Sequence, residues 1–497
     1  MVPVRGPGNT RRRSLAASSA AVVLIGALAA AGAASRGVPA GRVSLADIAA
    51  RTSAFFMNVL KPDQPYSPGE CQSQFEINCY TPAQIQQAYS LPSLYRAGIT
   101  GKGTTVVVVD AYGSPTLAAD LREFDSEADL PGATLKILRP LGRIPLYDQS
   151  STTRVGWAGE TTLDVEWVHA IAPGAAIDVV EVPKESVADL TGGVWYAIRH
   201  RLGYVISQSW GGAEQDLGSR ALLYLHDKIY AESVRNRITV VASTGDTGVT
   251  EPTSSGYYDH PETQYPATDP DVVAVGGTKL DLGPGGGKLA ADTVWNDTYS
   301  QAVNVGFNQS TVPNPIATGG GYSTVFVRPS YQRGVRNVVG RWRGIPDISM
   351  SASCADSVQV YQSFPPEPAG WNPVCGTSES APMFAGIVAL ADQKAGRSLG
   401  FINPVLYQLA ARHATGIVLV TSGNNTVAYS SDSLGATVSP AVTVHGYHAR
   451  HGYSLAAGLG TVNARYFVPE LVSPGLVKPP GHPKKPAKDK HTKKRHA

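Results

Sequence analysis

Ser378 stands in the run Cys375-Gly376-Thr377-Ser378-Glu379-Ser380-Ala381-Pro382, ahead of an apolar, Ala/Gly-rich helical stretch. A serine at a helix start has backbone N–H groups and the positive end of the helix dipole beside it. Both suit a developing oxyanion. Gly376 removes a side chain where a reactant would approach. Taken alone, such a serine is most often an ordinary N-cap. As a nucleophile it needs a base, and histidine is the first place to look. His169, His200, His226 and His260 lie in the body, none in a His-Gly-Thr-like setting, and His413, His445, His448 and His451 follow Ser378. A histidine-dependent serine hydrolase therefore lacks its base. His169 reads as a packed or surface residue.

Carboxylates are better placed. Gly159-Glu160-Thr161-Thr162-Leu163-Asp164 sets Glu160 and Asp164 four apart, on one face of a helix. Two neighbouring carboxyls resist ionising together, so one keeps a proton and the pair can exchange protons with a third group. The plain alternative is a solvated acidic face that includes Glu166. A third carboxyl, Asp246, sits in Ala242-Ser243-Thr244-Gly245-Asp246-Thr247-Gly248, directly after a β-rich run. Open α/β sheets build their sites at the carboxyl ends of strands, although turn chemistry alone also explains an Asp-Thr-Gly there. Asp110 ends the first strand and is a rival for an orienting acid. It ranks behind Asp164, as a site-rim or structural residue.

These residues hang on a repeating pattern. Thr104–Asp110 is a continuous β-branched run, as expected of a strand buried on both faces. The alternation continues with a helix about Glu160–Ile171, a strand Ala176–Val182, a helix Val187–Arg201 and a strand Tyr204–Ser209. A helix near Ala221–Arg235 leads to a strand Ile238–Ser243, followed by a strand Val272–Val275. Pro382–Ala395 reads as a helix opened by an early proline. Such repeats predict an α/β fold with a mainly parallel central sheet and helices on both faces. Gly283–Gly287 and Thr318–Tyr322 lack the strand–GxGxxG–helix context of a dinucleotide site and read as turns.

The formal charge of +3 over 497 residues conceals an uneven distribution. The last twenty residues hold eight Lys/Arg and the first 34 hold four Arg. Without these segments, 30 basic face 38 acidic residues. An acidic body does not point to a nucleic-acid partner, which needs a basic surface, and none is expected. Residues 1–34 read as an export signal: Arg11-Arg12-Arg13, an apolar run, then Ala31-Gly32-Ala33 as a cleavage site. The alternative is an uncleaved anchor. With the signal removed no membrane partner is expected, and the protein is expected to be secreted or extracellular. Cys71, Cys79, Cys354 and Cys375 form an even set in an exported chain, implying two disulfides. Proximity favours Cys71–Cys79 and Cys354–Cys375 among three connectivities. Residues 35–79 read as a short leader, 80–470 as the folded domain, and 471–497 as a disordered Lys/Pro/His-rich tail. That basic tail could touch anionic cell-envelope polymers.

The ordered set of segments resembles the sedolisin family of serine-carboxyl peptidases, which share the subtilisin-like fold. It comprises the Glu160/Asp164 helix with Ala172-Pro173-Gly174-Ala175, then Ser207-Gln208-Ser209-Trp210-Gly211 and Ser243–Gly248. Tyr265-Pro266-Ala267, Val275–Thr278, Gly319–Ser323, Pro346-Asp347 and Gly376-Thr377-Ser378 follow. The resemblance implies a secreted endopeptidase acting on proteins or peptides. Ser378 would attack the peptide carbonyl, Glu160 would serve as base, and Asp164 would orient Glu160. Protonated Asp246 would donate to the oxyanion, and activity would favour acid pH. The family's calcium site is expected to be lost, because Leu419 and Ser454 stand where acids belong and calcium wants carboxylates among its oxygen ligands. Asp432 has no supporting spacing as a substitute. The family's large pro-segment is also not expected, since only about forty residues separate signal and body. A separate inhibitor, a minimal propeptide or folding without one would fill that role. A second reading is a catalytically inactive exported binding or scaffold protein on the same fold. Retention of Ser378, Glu160, Asp164 and Asp246 together favours the enzyme.

Overall fold

Four consecutive valines, Val106–Val109, are fully buried, and a strand with no exposed face must lie inside a sheet covered on both sides. In the computed structural model this run is β4 (Thr105–Ala111). It pairs in parallel with β6 (Ala176–Val182) on one side and β7 (Val205–Gln208) on the other. The sheet continues through β9 (Thr239–Ser243) to β11 (Val273–Lys279), and through β6 to β5 (Thr134–Leu138). The strand β15 (Ile348–Ser351) also joins β11 in parallel, and β12 (Thr293–Val294) closes that edge antiparallel. The structure describes residues 44–476 except 53, 58–61, 309, 311 and 431–440. The export signal, Asp432 and the tail from 477 onward lie outside the described residues.

Helices cover both faces, as the alternation predicts. One apolar layer joins Leu163, Val168 and Ile171 of the helix Thr152–Ile171 to Phe384, Ile387 and Val388 of the helix Thr377–Ala395. The other layer packs Leu190, Val194 and Ile198 of the helix Val187–His200 on Val107, Val109 and Val180. Smaller sheets flank the central one. The strand β8 (Trp210–Ala213) lies between β1 (Arg51–Thr52) and β10 (Gln264–Tyr265). A four-stranded sheet runs β2 (Phe55–Phe56), β17 (Gly370–Cys375), β16 (Asp356–Gln362) and β3 (Asn78–Tyr80). A hairpin-like pair, β13 (Gly321–Val327) and β14 (Trp342–Ile345), completes the rim. Both favoured disulfides are present, Cys71–Cys79 and Cys354–Cys375. Among the described residues no helix is long and apolar enough to cross a membrane.

Three helices depart from the sequence expectation. The one expected about Glu160–Ile171 already begins at Thr152, so Glu160 lies two turns inside it. The stretch Ala221–Arg235 breaks into Ser219–Leu225, a π turn His226–Tyr230 and Ala231–Arg235. The third departure bears on the nucleophile. The helix expected to open at Pro382 begins at Thr377, so Pro382 lies inside it and Ser378 falls in its first turn. Pro382 has no N–H to give the carbonyl four residues earlier, that of Ser378. The Ser209 hydroxyl oxygen lies 3.4 Å from that carbonyl.

Candidate active site

The strand-to-helix junction after β17 sets Ser378. Gly376 has φ 125°, a region that side chains rarely adopt, and this turn swings the chain from Cys375 into the helix. The first N–H groups of a helix have no partner within it. Here Thr377 N–H donates to Asp246 Oδ1 at 2.7 Å and Glu379 N–H to Gly376 O at 2.9 Å. Thr377 Oγ1 also donates to Asp246 Oδ1, at 2.6 Å, and receives the Gly245 N–H at 3.1 Å. The loop after β9 and the start of the nucleophile helix are thus stitched together through Asp246. Its other oxygen, Oδ2, is buried without a partner. Burial pushes the Asp246 carboxyl well above the usual range, against the two Thr377 hydrogen bonds.

Ser378 is fully buried, and its hydroxyl donates to Ser209 O at 3.5 Å. The Glu160 carboxyl lies beside it. Burial raises the Glu160 carboxyl well above its ordinary value, the Ser378 hydroxyl works against that rise, and the charge of Asp110 adds to it. Glu160 Oε2 accepts the Ala54 N–H at 3.3 Å, while Oε1 is buried without a partner. One turn further along the same helix face, Asp164 Oδ1 accepts the Ser209 hydroxyl at 2.6 Å. Burial raises Asp164 strongly, and Asp110 and Glu160 raise it further. The structure therefore brings Ser378, Glu160 and Asp164 together, with Asp246 tied to Thr377, the residue before the nucleophile.

No histidine joins them among the described residues. His169 is packed, its Nε2 2.7 Å from Pro131 O and 3.2 Å from Asp125. His226 pairs with Asp269 at 3.0 Å, His260 with Asp259 at 2.9 Å, and His200 stacks on Tyr196. Glu166 points away from the nucleophile and accepts Tyr361 N–H at 3.0 Å.

Two more acids bear on this cluster, one that the sequence ranked as a site-rim or structural residue and one it overlooked. Asp110, at the carboxyl end of β4, is fully buried, and burial lifts it to about 7 with Glu181 adding to the rise. Its charge acts on both Glu160 and Asp164. Glu379, next to the nucleophile, is fully buried; burial raises its carboxyl well above the ordinary range, the Ser351 hydroxyl works against that rise, and the charge of Asp246 adds to it. The signal for Glu379 was an acid inside an otherwise small and apolar helix start.

The segments that resemble a calcium loop offer poor ligands. Leu419 lines an apolar cavity of about 310 Å3 with Val335, Ile417, Tyr453 and Leu459. The Ser454 hydroxyl is buried and accepts the Ala457 N–H at 3.1 Å, closing a turn by itself. Neither position carries a carboxylate.

A subtilase-family profile matches residues 152–404. Kumamolisin of Bacillus sp. (strain MN-32) is 31% identical over 368 residues, covering 70% of this chain and 58% of kumamolisin. Sedolisin of Pseudomonas sp. (strain 101) is 28% identical over 380 residues, covering 75% of this chain and 59% of sedolisin. The chain thus spans about three fifths of the length of these two relatives. A solved structure of Pseudomonas sedolisin, a serine-carboxyl proteinase complexed with pseudo-iodotyrostatin, superposes with a TM-score of 0.64 at 26% identity. It covers 80% of this chain and 99% of that one. By the profile match and the fold it shares with sedolisin, the chain belongs to the subtilase family, within its sedolisin branch.

Proposed function

We propose that the protein is an endopeptidase that hydrolyses peptide bonds in proteins or peptides with Ser378 as nucleophile. The observation that carries this reading is the Ser378 hydroxyl placed beside the buried Glu160 carboxyl, with no histidine in reach among the described residues. Glu160 takes the hydroxyl proton as Ser378 Oγ bonds the substrate carbonyl carbon, then delivers it to the leaving amine. In this reading Asp164, one turn along the same helix face, orients Glu160, while the Ser209 hydroxyl donates to Asp164 at 2.6 Å. Water hydrolyses the resulting ester by the reverse proton path. Asp246 Oδ1 is fixed by Thr377, which directs a carboxyl proton to Oδ2 as an oxyanion donor, with the Ser378 N–H as the second donor.

Every carboxyl in the cluster is raised by burial, so the donor form of Asp246 persists above the range of an exposed acid and fails as pH rises further. Activity at acid pH follows. Calcium has no part in this reading, since Leu419 and Ser454 do not fit it. Export to the extracellular side rests on residues 1–34, outside the described residues. Digestion of a denatured protein across pH 3–8, wild type beside Ser378→Ala, tests the proposal. Acid digestion by the wild type alone is expected, and equal digestion by both, or none by either, overturns it.

A further inference from the structure

The amino ends of the central strands carry a cluster that peptide hydrolysis does not use. Thr104 leads into β4, Tyr204 stands directly before β7, and Arg237 lies two residues before β9. Together with Lys102, Arg201, Arg235 and Arg397 they line a cavity of about 680 Å3. Asp110 and Ser209 stand at the other ends of β4 and β7. The length of β4 therefore sets this cavity about 20 Å from the catalytic cluster.

Five cations meet here, in a body where 30 basic face 38 acidic residues once the two terminal segments are set aside. Lys102, Arg201, Arg237 and Arg397 form no ion pair among the described residues, while Arg235 pairs with Glu232 at 2.7 Å. Neutral acceptors hold the arginines instead. Arg201 Nε and Nη2 donate to Asn236 Oδ1 at 3.3 and 3.2 Å. Arg237 Nη2 donates to Ser398 O at 3.0 Å, and Arg397 Nη1 donates to the same oxygen at 3.1 Å. A guanidinium carries five N–H donors, so each arginine keeps donors free for a ligand while its position is already fixed. That lowers the ordering cost of binding.

Cations near helix C-termini are common, because they offset the negative end of the dipole. Three such ends converge on this cavity. Arg201 caps the helix Val187–His200, Asn236 caps Ala231–Arg235, and Gly396 caps Thr377–Ala395. Each end amounts to about half a negative charge, so the three offset less than half of the five cations. Asp392 is the acid among the lining residues. It is buried, its Oδ1 accepts the Leu399 N–H at 2.8 Å, and burial lifts it to about 7 against the pull of Leu399, Arg397 and Arg237. In acid solution it is neutral, and the cavity stays positive.

We propose that this cavity binds a polyanionic glycan, on the side of the sheet away from the catalytic cluster. Guanidinium groups pair with carboxylate, sulfate or phosphate through parallel N–H bonds. Between the cations, Thr104, Asn236, Gln393 and Ser398 suit sugar hydroxyls, and the Tyr204 ring, 45% exposed, offers a flat face to a sugar ring. A stiff nucleic-acid duplex fits less well, since the acidic body repels it wherever it leaves the cavity, whereas a flexible glycan bends away. Binding here holds the protein on an anionic matrix with its catalytic end free. The binding itself does not depend on the peptidase reading.

The test uses the full chain at about pH 6 in about 0.1 M salt. Binding to immobilised heparin (sulfated), polygalacturonate (carboxylated), dextran (neutral) and duplex DNA is measured side by side. Two variants lose the same charge: Lys102→Gln/Arg201→Gln/Arg397→Gln takes three cations from the cavity, and Lys484→Gln/Lys485→Gln/Lys488→Gln takes three from the basic tail. The wild type is expected to bind heparin, polygalacturonate or both, more weakly as salt rises, and to leave dextran unbound. The cavity variant is expected to bind about 100-fold more weakly than wild type, and at least about tenfold more weakly than the tail variant. Phenylglyoxal labelling of the wild type, read by peptide mass, covers a cavity variant that melts early: bound glycan should protect Arg201, Arg237 and Arg397. No binding to either glycan, a smaller gap between the two variants, or glycan that leaves those arginines reactive overturns the proposal. Duplex DNA bound as tightly as the glycans gives the surface to nucleic acid and overturns it as well.

Discussion

Replacing Asp246 with asparagine separates two tasks that its carboxyl performs together. Oδ1 accepts two hydrogen bonds from Thr377, at 2.7 and 2.6 Å, and an asparagine oxygen keeps both. The amide NH2 then takes the place of Oδ2, which is buried and unpartnered, and supplies a donor that does not titrate. The start of the nucleophile helix should stay intact, and the melting temperature should move little. An amide N–H is a weaker donor than a carboxylic acid, so kcat at the optimum should fall about 10–100-fold, about 1.4–2.7 kcal/mol in the barrier. Asp246→Ala removes the donor outright and should lose about 10²–10³-fold. It also strands the Thr377 N–H, at about 1–3 kcal/mol of stability. The pH dependence is sharper still. In the wild type the donor exists only while Asp246 is protonated. Burial raises that limit, and kcat falls as pH climbs through it. In Asp246→Asn this part of the alkaline decline should vanish. Steady-state kcat against pH on a fluorogenic peptide, with thermal melts alongside, checks both points. An asparagine variant with an unchanged alkaline limb, or an alanine variant within threefold of wild type, refutes the assignment.

Other consequences concern the groups around the nucleophile. Ser209→Ala removes the 2.6 Å hydrogen bond that lowers Asp164. The acid limb of the pH–rate curve should move to higher pH, with a loss of about tenfold in kcat/KM, from about 1.5 kcal/mol for a hydrogen bond to a charged acceptor. Asp347 is bound by Arg343 through Nη1 at 2.7 Å and Nη2 at 2.5 Å, both residues fully buried, so Asp347→Asn leaves an uncompensated guanidinium. Chemical denaturation should show a loss of about 3–5 kcal/mol. Adding a calcium chelator should leave the melting temperature unmoved, because neither Leu419 nor Ser454 carries a carboxylate. A fall of several degrees would show that other residues hold the ion.

The valine run of β4 was legible in the sequence because burial on both faces writes itself as an unbroken apolar string, and the strand–helix alternation followed from it. Glu160 and Asp164 were legible as a pair because helical spacing alone puts them on one face. The start of the nucleophile helix was not. Pro382 reads locally as a helix opener, whereas the helix already starts at Thr377, where the turn at Gly376 and the tie of Thr377 to Asp246, a residue remote in sequence, set the chain into it. Glu379 was missed, and Asp110 ranked no higher than a site-rim or structural residue, for a related reason, since their burial comes from segments remote in sequence. The leader carried almost no signal. Its two strands are two residues each, too short for any period, and their register is set by the edges of β8 and β17.

The central claim is that a carboxyl, Glu160, takes the place of histidine as the base for Ser378. It is tested most directly by the pH–rate profile of peptide hydrolysis for wild type, Ser378→Ala and Glu160→Gln, each shown to be folded by its melting curve. Glutamine keeps the shape of Glu160 and can still accept from Ala54 N–H, but it cannot take a proton. The account predicts a wild-type optimum below neutrality and the loss of nearly all hydrolysis in both variants at every pH. Hydrolysis by Glu160→Gln at a rate near wild type, or a wild-type optimum above neutrality, would contradict it.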